Sequence, residues 1–265
     1  MSPLPPLVSD LTRRHLALVD DLVPGLVEGL YVTGSAALGD FHAGTSDVDV
    51  VVVTSRPPDP RECAALADVH AKLSASTFYD GFYVSREHLD DPPRDGETVP
   101  FVAGGTLRVD EPCDELNPVT WRALRRHGRT VRGVDPADLG VPAQPDEVVR
   151  DWLLDNLAGY WSRFGERVTA GLAHAPADRV VENATIEWAV LGPPRLHYTL
   201  TTGDVVSKSG AADHLATRFP RWSELGERAL TSRSGGDVLF TTEDLREAAS
   251  LIEAVRDSAQ AFAAS

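Results

Sequence analysis

Two aspartates, Asp47 and Asp49, open the β-branched run SDVDVVVVTS. Side chains alternate along a strand, so residues two apart point to one face and their carboxylates lie side by side. Two carboxylates held that close repel unless a cation sits between them. Magnesium takes oxygen ligands, typically a few carboxylates completed by substrate phosphates. A second metal position can clamp both the attacking and the leaving oxygen of an in-line phosphoryl displacement. Upstream, Gly34 and Ser35 end a short apolar stretch, LYVT. Glycine lets a phosphate approach the backbone closely, and a serine hydroxyl with nearby N–H groups can donate to it. Asp-x-Asp alone is common as a solvated strand-end turn. The Gly-Ser corner before it and the valine run behind it turn the pattern toward metal-assisted phosphoryl chemistry. Asp40 and His42, between the two halves, suit the turn itself.

These residues need elements to hold them. The leucines of 8–22 recur at helical spacing, with Ser9 or Asp10 as the N-cap. A strand is expected at 30–33, broken by Gly34 and Ser35, and a second over the valine run, buried on both faces. Residues 55–62 read as a loop, 62–73 as a helix and 76–89 as a strand. Pro92, Pro93, Asp95 and Gly96 mark a turn region. Residues 117–133 read as a helix leading to a turn at Gly133, Asp135 and Pro136, and 141–147 as a linker. Beyond it the pattern is helical: 147–168, with Val148, Trp152, Leu153, Leu157, Tyr160, Trp161 and Phe164 on a broad face, then 178–191 interrupted by Pro193 and Pro194, 209–219, and 242–262 after the Gly235–Gly236 break. Trp152, Trp161 and Trp188 are expected in the core. The order is α/β first and all-α second, an α+β fold class with a mixed-sheet domain at 1–143 and a helical bundle at 144–265.

The chain has 265 residues, enough for two domains, and its 25% charged content is ordinary for a folded protein. The formal charge of −15 disfavours nucleic acid and favours cations, a polycationic small molecule among them. Cys63 and Cys113 are far apart and have no metal-ligand spacing. The N-terminal residues lack the basic and apolar regions of a signal peptide, and no apolar stretch approaches the ~20 residues a membrane span needs. A soluble, cytoplasmic protein is expected, without nucleic-acid or membrane partners.

The pattern GS, about ten residues, then SDVD resembles the nucleotidyltransferase superfamily signature. Within that superfamily the chain resembles the streptomycin/spectinomycin-type aminoglycoside adenylyltransferases. NPVTWRALRRHGRTVRGVD, at 117–135, is similar to the segment closing that family's catalytic domain. RLHYTLTTGDVVSKSGAADHLATRFP, at 195–220, is similar to an Arg–Lys segment of its helical domain. The resemblance implies transfer of AMP from ATP to a hydroxyl of a small acceptor, an aminoglycoside, with magnesium as cofactor and ATP between the domains. It implies Asp47 and Asp49 as metal ligands, and Gly34 and Ser35 at the ATP phosphates. Asp80 becomes the catalytic base, where the family more usually has glutamate, with Glu87 as the other candidate. Arg195 and Lys208 become ATP contacts, and Glu187, or else Glu182, an acceptor contact. The family's substrate-stacking tryptophan has no counterpart in AGGTLRVDEP, at 103–112. Two other readings stand beside this one: the same chemistry on a non-antibiotic acceptor, and a nucleotide-binding regulatory or antitoxin-like protein without turnover. A dinucleotide-binding fold would need G-x-G-x-x-G, which is absent.

Overall fold

The structure is a computed structural model that describes residues 3–73, 78–94, 96–141 and 143–264. The chain divides into two compact units, Met1–Gln144 and Pro145–Ser265. No helix among the described residues is long and apolar enough to cross a membrane.

The first unit opens with α1, Pro6–Leu22. Its N-cap is Pro5 rather than Ser9 or Asp10, and Pro6 takes the first helical position. Proline is preset for that place and lacks only an N–H that would have no partner there. Ser9 already donates its N–H to the Pro5 carbonyl at 3.0 Å. Six strands follow: β1 Val27–Val32, β2 Val48–Thr54, β3 Tyr79–Ser85, β4 Phe101–Ala103, β5 Thr106–Arg108 and β6 Arg129–Arg132. They form one mixed sheet in the order β5-β4-β3-β2-β1-β6. Only β2 and β3 run parallel. A parallel pair needs a crossover, and α3, Pro60–Leu73, supplies it. Between β1 and β2 lies the short α2, Gly34–Ala37, where a plain turn was expected. The fourth helix, α4, is Pro118–His127, with Asn117 as N-cap accepting from the N–H groups of Val119 and Thr120.

The valine strand is buried on both faces, as its composition implies. Val50 and Val52 join Val8, Leu11 and Val19 of α1 and Leu66 and Val69 of α3 in one core. Val51 and Val53 join Phe82, Val84, Trp121 and Leu124 in a second core under α4. Asp49 and Asp80 share the parity of the second set, so their side chains lie on the α4 face.

Several expected elements differ. The strand expected at 76–89 is β3, followed by a 3-10 turn at Arg86–His88. Residues 74–77 lie outside the described residues, as do Asp95 of the turn region and Pro142 of the expected linker. That linker is no free tether: Val141 is buried in the α4-side core, and Arg125 and Arg122 donate to the carbonyls of Val141 and Gln144 at 2.9 and 3.0 Å. Residues 129–132, read as the end of the helix expected at 117–133, instead form β6 along the edge of β1.

The second unit is helical apart from a two-residue ribbon, β7 Val180–Val181 with β8 Phe240–Thr241. Its helices are α5 Asp146–Asn156, α6 Ser162–Gly171, α7 Asn183–Thr202, α8 Lys208–Arg218, α9 Ser223–Arg233 and α10 Thr242–Ala263. A π turn at Leu157–Trp161 joins α5 to α6. The expected break at Pro193 and Pro194 does not occur: α7 runs through both to Thr202. Interior prolines cost a helix about 3 kcal/mol or more. Here Gly192, Pro193 and Pro194 are all buried, and the Trp161 ring packs against Gly192. Core packing outweighs local propensity. Trp161 is buried as expected, Trp152 is half-buried, and Trp188 is 41% exposed with its indole N–H donating to Tyr160 Oη at 3.1 Å.

Candidate active site

Parallel pairing of β2 and β3 sets Asp49 directly opposite Asp80. Both stand at the N-terminal ends of their strands, with Asp47 just before β2. All three line one cavity of about 400 Å³ within the first unit. Thr33, at the end of β1, lines it too, and its N–H donates to the Asp49 carbonyl at 2.9 Å. The sheet therefore gathers carboxylates that are more than thirty residues apart in sequence.

Gly34 follows Thr33 in the left-handed region at φ +57°. A Cβ placed there would lie 1.9 Å from Asp49 Oδ2. Only glycine fits, so the Gly-Ser corner packs directly on the carboxylate it was expected to accompany. Ser35 is the second residue of α2, and its carbonyl accepts from Asp40 N–H at 2.9 Å. The loop back to β2 is tied by His42, whose N–H donates to Ser46 Oγ at 3.0 Å and whose ring meets Asp40 Oδ1 at 3.3 Å.

Asp80 is held by the β4–β5 hairpin. Gly104 N–H donates to Oδ2 and Gly105 N–H to Oδ1, each at 3.0 Å. Glu87, the other candidate base, lies in the 3-10 turn past the far end of β3. Five steps of strand at about 3.3 Å each already put Ser85 about 17 Å from Asp80 before that turn begins. The cavity excludes Glu87, and its carboxylate takes a hydrogen bond from Ser85 Oγ at 3.4 Å.

The cavity lining also carries Glu111, Asp114 and Glu115, with Arg108 paired to Glu111 at 2.8 Å. So many carboxylates around one space create a strongly negative potential that draws in cations. The donor chemistry, all oxygen, fits magnesium, which needs only one or two carboxylates before substrate phosphates and water complete its shell. No ready-made cluster of three ligating side chains is present among the described residues. A site of this kind would be finished by its substrate.

The remaining expected site residues lie in the second unit. Arg195, on α7, donates from Nε to the Val206 carbonyl at 3.1 Å, and Lys208 opens α8 two residues later, after the Ser207 N-cap. The fold thus brings Arg195 to the segment that carries Lys208. Glu187, expected to contact the acceptor, is only 8% exposed and accepts from Ser232 Oγ at 2.8 Å. It shares the buried face of α7 with Val190, Leu191 and Pro194, at helical spacings of three, four and seven. One of its carboxylate oxygens thus takes a contact from α9. Glu182 is exposed at the N-cap of α7.

Sequence reading missed the hairpin that grips Asp80 and the acidic wall at 111–115. A signal for the first was present: Gly-Gly between two short β-compatible runs is a two-residue hairpin cue.

Residues 13–79 match the nucleotidyltransferase domain family. The match spans Gly34, Ser35, Asp47 and Asp49 and stops one residue before Asp80. In fold, 94% of the chain superimposes on 98% of the crystal structure of spectinomycin adenyltransferase AAD(9) from Enterococcus faecialis with ATP and spectinomycin, at a TM-score of 0.71 and 16% sequence identity. No protein of curated function matches the chain in sequence. The chain has the α+β architecture of that adenyltransferase: a nucleotidyltransferase-type mixed sheet followed by a helical unit.

Proposed function

We propose that this protein moves AMP from ATP onto a hydroxyl of a small cationic acceptor, an aminoglycoside of the streptomycin/spectinomycin type. The observation that carries the reading is the convergence of Asp47, Asp49 and Asp80 on one cavity, with Gly34 packed on Asp49. The nucleotidyltransferase match over residues 13–79, which include Gly34, Asp47 and Asp49, and the ATP and spectinomycin bound by the structural neighbour support it. The further carboxylates of the lining, Glu111, Asp114 and Glu115, favour an amine-bearing acceptor over a neutral one.

Asp47 and Asp49 would hold magnesium, which when bound neutralises phosphate charge and orients the triphosphate. Asp80 accepts the proton of the acceptor hydroxyl. The acceptor oxygen bonds to the α-phosphorus, the bond from that phosphorus to the bridging oxygen breaks, and pyrophosphate leaves. The Ser35 hydroxyl donates to phosphate oxygens, and Arg195 and Lys208 contribute positive charge to the leaving pyrophosphate. Aligning acceptor and ATP supplies much of the acceleration. A cytoplasmic location, where ATP is abundant, goes with this reading.

The test is pyrophosphate release from ATP and magnesium across a panel of aminoglycosides. Release is expected with streptomycin or spectinomycin. Asp47→Asn should lower it about a hundredfold or more, since several kcal/mol of charge stabilisation are removed. Magnesium-dependent ATP binding without release for any drug would overturn the acceptor and leave a different acceptor, or a binding protein without turnover.

A further inference from the structure

The Gly104–Gly105 turn has no role in the chemistry above, yet it holds both oxygens of a carboxylate that lines the cavity. It joins β4 to β5 as a two-residue hairpin, with Ala103 paired to Thr106. Both glycines have positive φ, +59° and +75°. That is the primed type of turn, whose twist matches that of its strands. β4 pairs with β3 through Gly81–Val102 and Phe82–Phe101. The turn therefore sits where the pairing would reach Asp80, and both its N–H groups face the Asp80 carboxylate, one per oxygen, at 3.0 Å.

We propose that the Gly104–Gly105 turn is the positioning element of the base, fixing the orientation of the Asp80 carboxylate toward the acceptor hydroxyl. The inference rests on the reading of Asp80 as base. An aspartate side chain on a strand end has two free torsions, and main-chain donors on both oxygens remove that freedom. Each oxygen keeps a second lone pair for the incoming proton. Backbone amides cannot change rotamer, so the geometry is preset before substrate arrives. The same hairpin supplies Ala103 and Arg108 to the cavity lining, so one element both orients the base and walls the acceptor space. The shorter arm of aspartate suits this arrangement: a strand-end carboxylate that reaches the turn's amides needs no further methylene.

Gly104 gives a clean test, because a Cβ there would meet nothing within 4 Å. The β-carbon itself brings no clash, so what a substitution strains first is the positive φ. Asparagine tolerates positive φ and valine does not. Gly104→Asn should keep kcat for AMP transfer to spectinomycin within about threefold. Gly104→Val should lower kcat by about tenfold to a hundredfold, the scale of a misplaced catalytic group, while KM for ATP stays within about twofold. A purely structural turn would lower the unfolding temperature of Gly104→Val and leave the kcat of the folded enzyme unchanged. That result, with Asp80→Asn inactive, overturns the inference alone. Full activity in Asp80→Asn overturns the base assignment and the inference together. Should Gly104→Val fail to fold, glycine-selective 15N labelling of the intact protein decides. The Gly104 and Gly105 amide signals should both move markedly in Asp80→Asn; unmoved signals would overturn the clamp.

Discussion

At the residue scale, the site rests on a glycine as much as on carboxylates. Asp49 keeps its place because the backbone beside it carries no Cβ. Gly34→Ala tests this directly. The new methyl would lie 1.9 Å from Asp49 Oδ2, and φ +57° is disfavoured for alanine by about 1–2 kcal/mol. The carboxylate has to rotate away or α2 has to shift. Pyrophosphate release should fall by at least about tenfold, and the magnesium concentration giving half-maximal rate should rise, because the ligand and not the acceptor seat is displaced. Steady-state kinetics over a magnesium titration reads both. An unchanged magnesium requirement would show that Asp49 does not hold the ion. These residues were legible in the sequence because the whole motif is local: corner, loop and strand end fall within sixteen positions, Gly34 to Asp49. The burial of Glu187 was not legible, because a single carboxylate on a helix gives no indication of which face it occupies until the phase of its neighbours is known.

At the scale of elements, β3 serves two purposes on two faces. Asp80 looks into the cavity, whereas Tyr79 and Tyr83 point into the core beneath α1 and α3. There His15 contacts Tyr79 Oη at 3.0 Å and Tyr83 Oη at 2.9 Å, and His70 contacts Tyr83 Oη at 2.7 Å. Burial holds both imidazoles neutral. It pushes His70 down to about 4, and His15 well below its ordinary value, with His70 adding to the effect on His15. The unfolded chain binds these protons near pH 6.5, so the stability the pair contributes is complete above that pH and is lost as pH falls toward 4. For His70 the loss approaches roughly 3 kcal/mol. Urea unfolding midpoints should drop between pH 7 and pH 5, and His70→Gln should flatten that dependence. An equally steep drop in the variant would place the titrating group elsewhere. Elements this short or this buried explain what the sequence did not show. β4 and β5 have three residues each, too few for alternation to register. β6, Arg-Thr-Val-Arg, is a half-buried edge strand of four residues, read as the continuation of the helix before it. α7 passes through two prolines because tertiary packing decides where propensity would not.

At the scale of the molecule, the net charge of −15 would act on the two proposed substrates with opposite sign. A cationic aminoglycoside is drawn toward the protein and its acidic cavity, whereas ATP, anionic even with magnesium, is repelled by the same field. Raising monovalent salt from about 0.01 M to about 0.1 M shortens the screening length from about 30 Å to about 10 Å. At fixed magnesium, kcat/KM for streptomycin should fall by about three- to tenfold over that range. kcat/KM for ATP should hold steady or rise, and kcat itself should change little, because charges within the cavity are screened far less than those on the surface. Initial rates with each substrate varied against a saturating partner separate the two. A fall of equal size for both would mean that salt acts on the fold or on the bound metal, and the charge of the protein would then have no part in choosing a cationic acceptor.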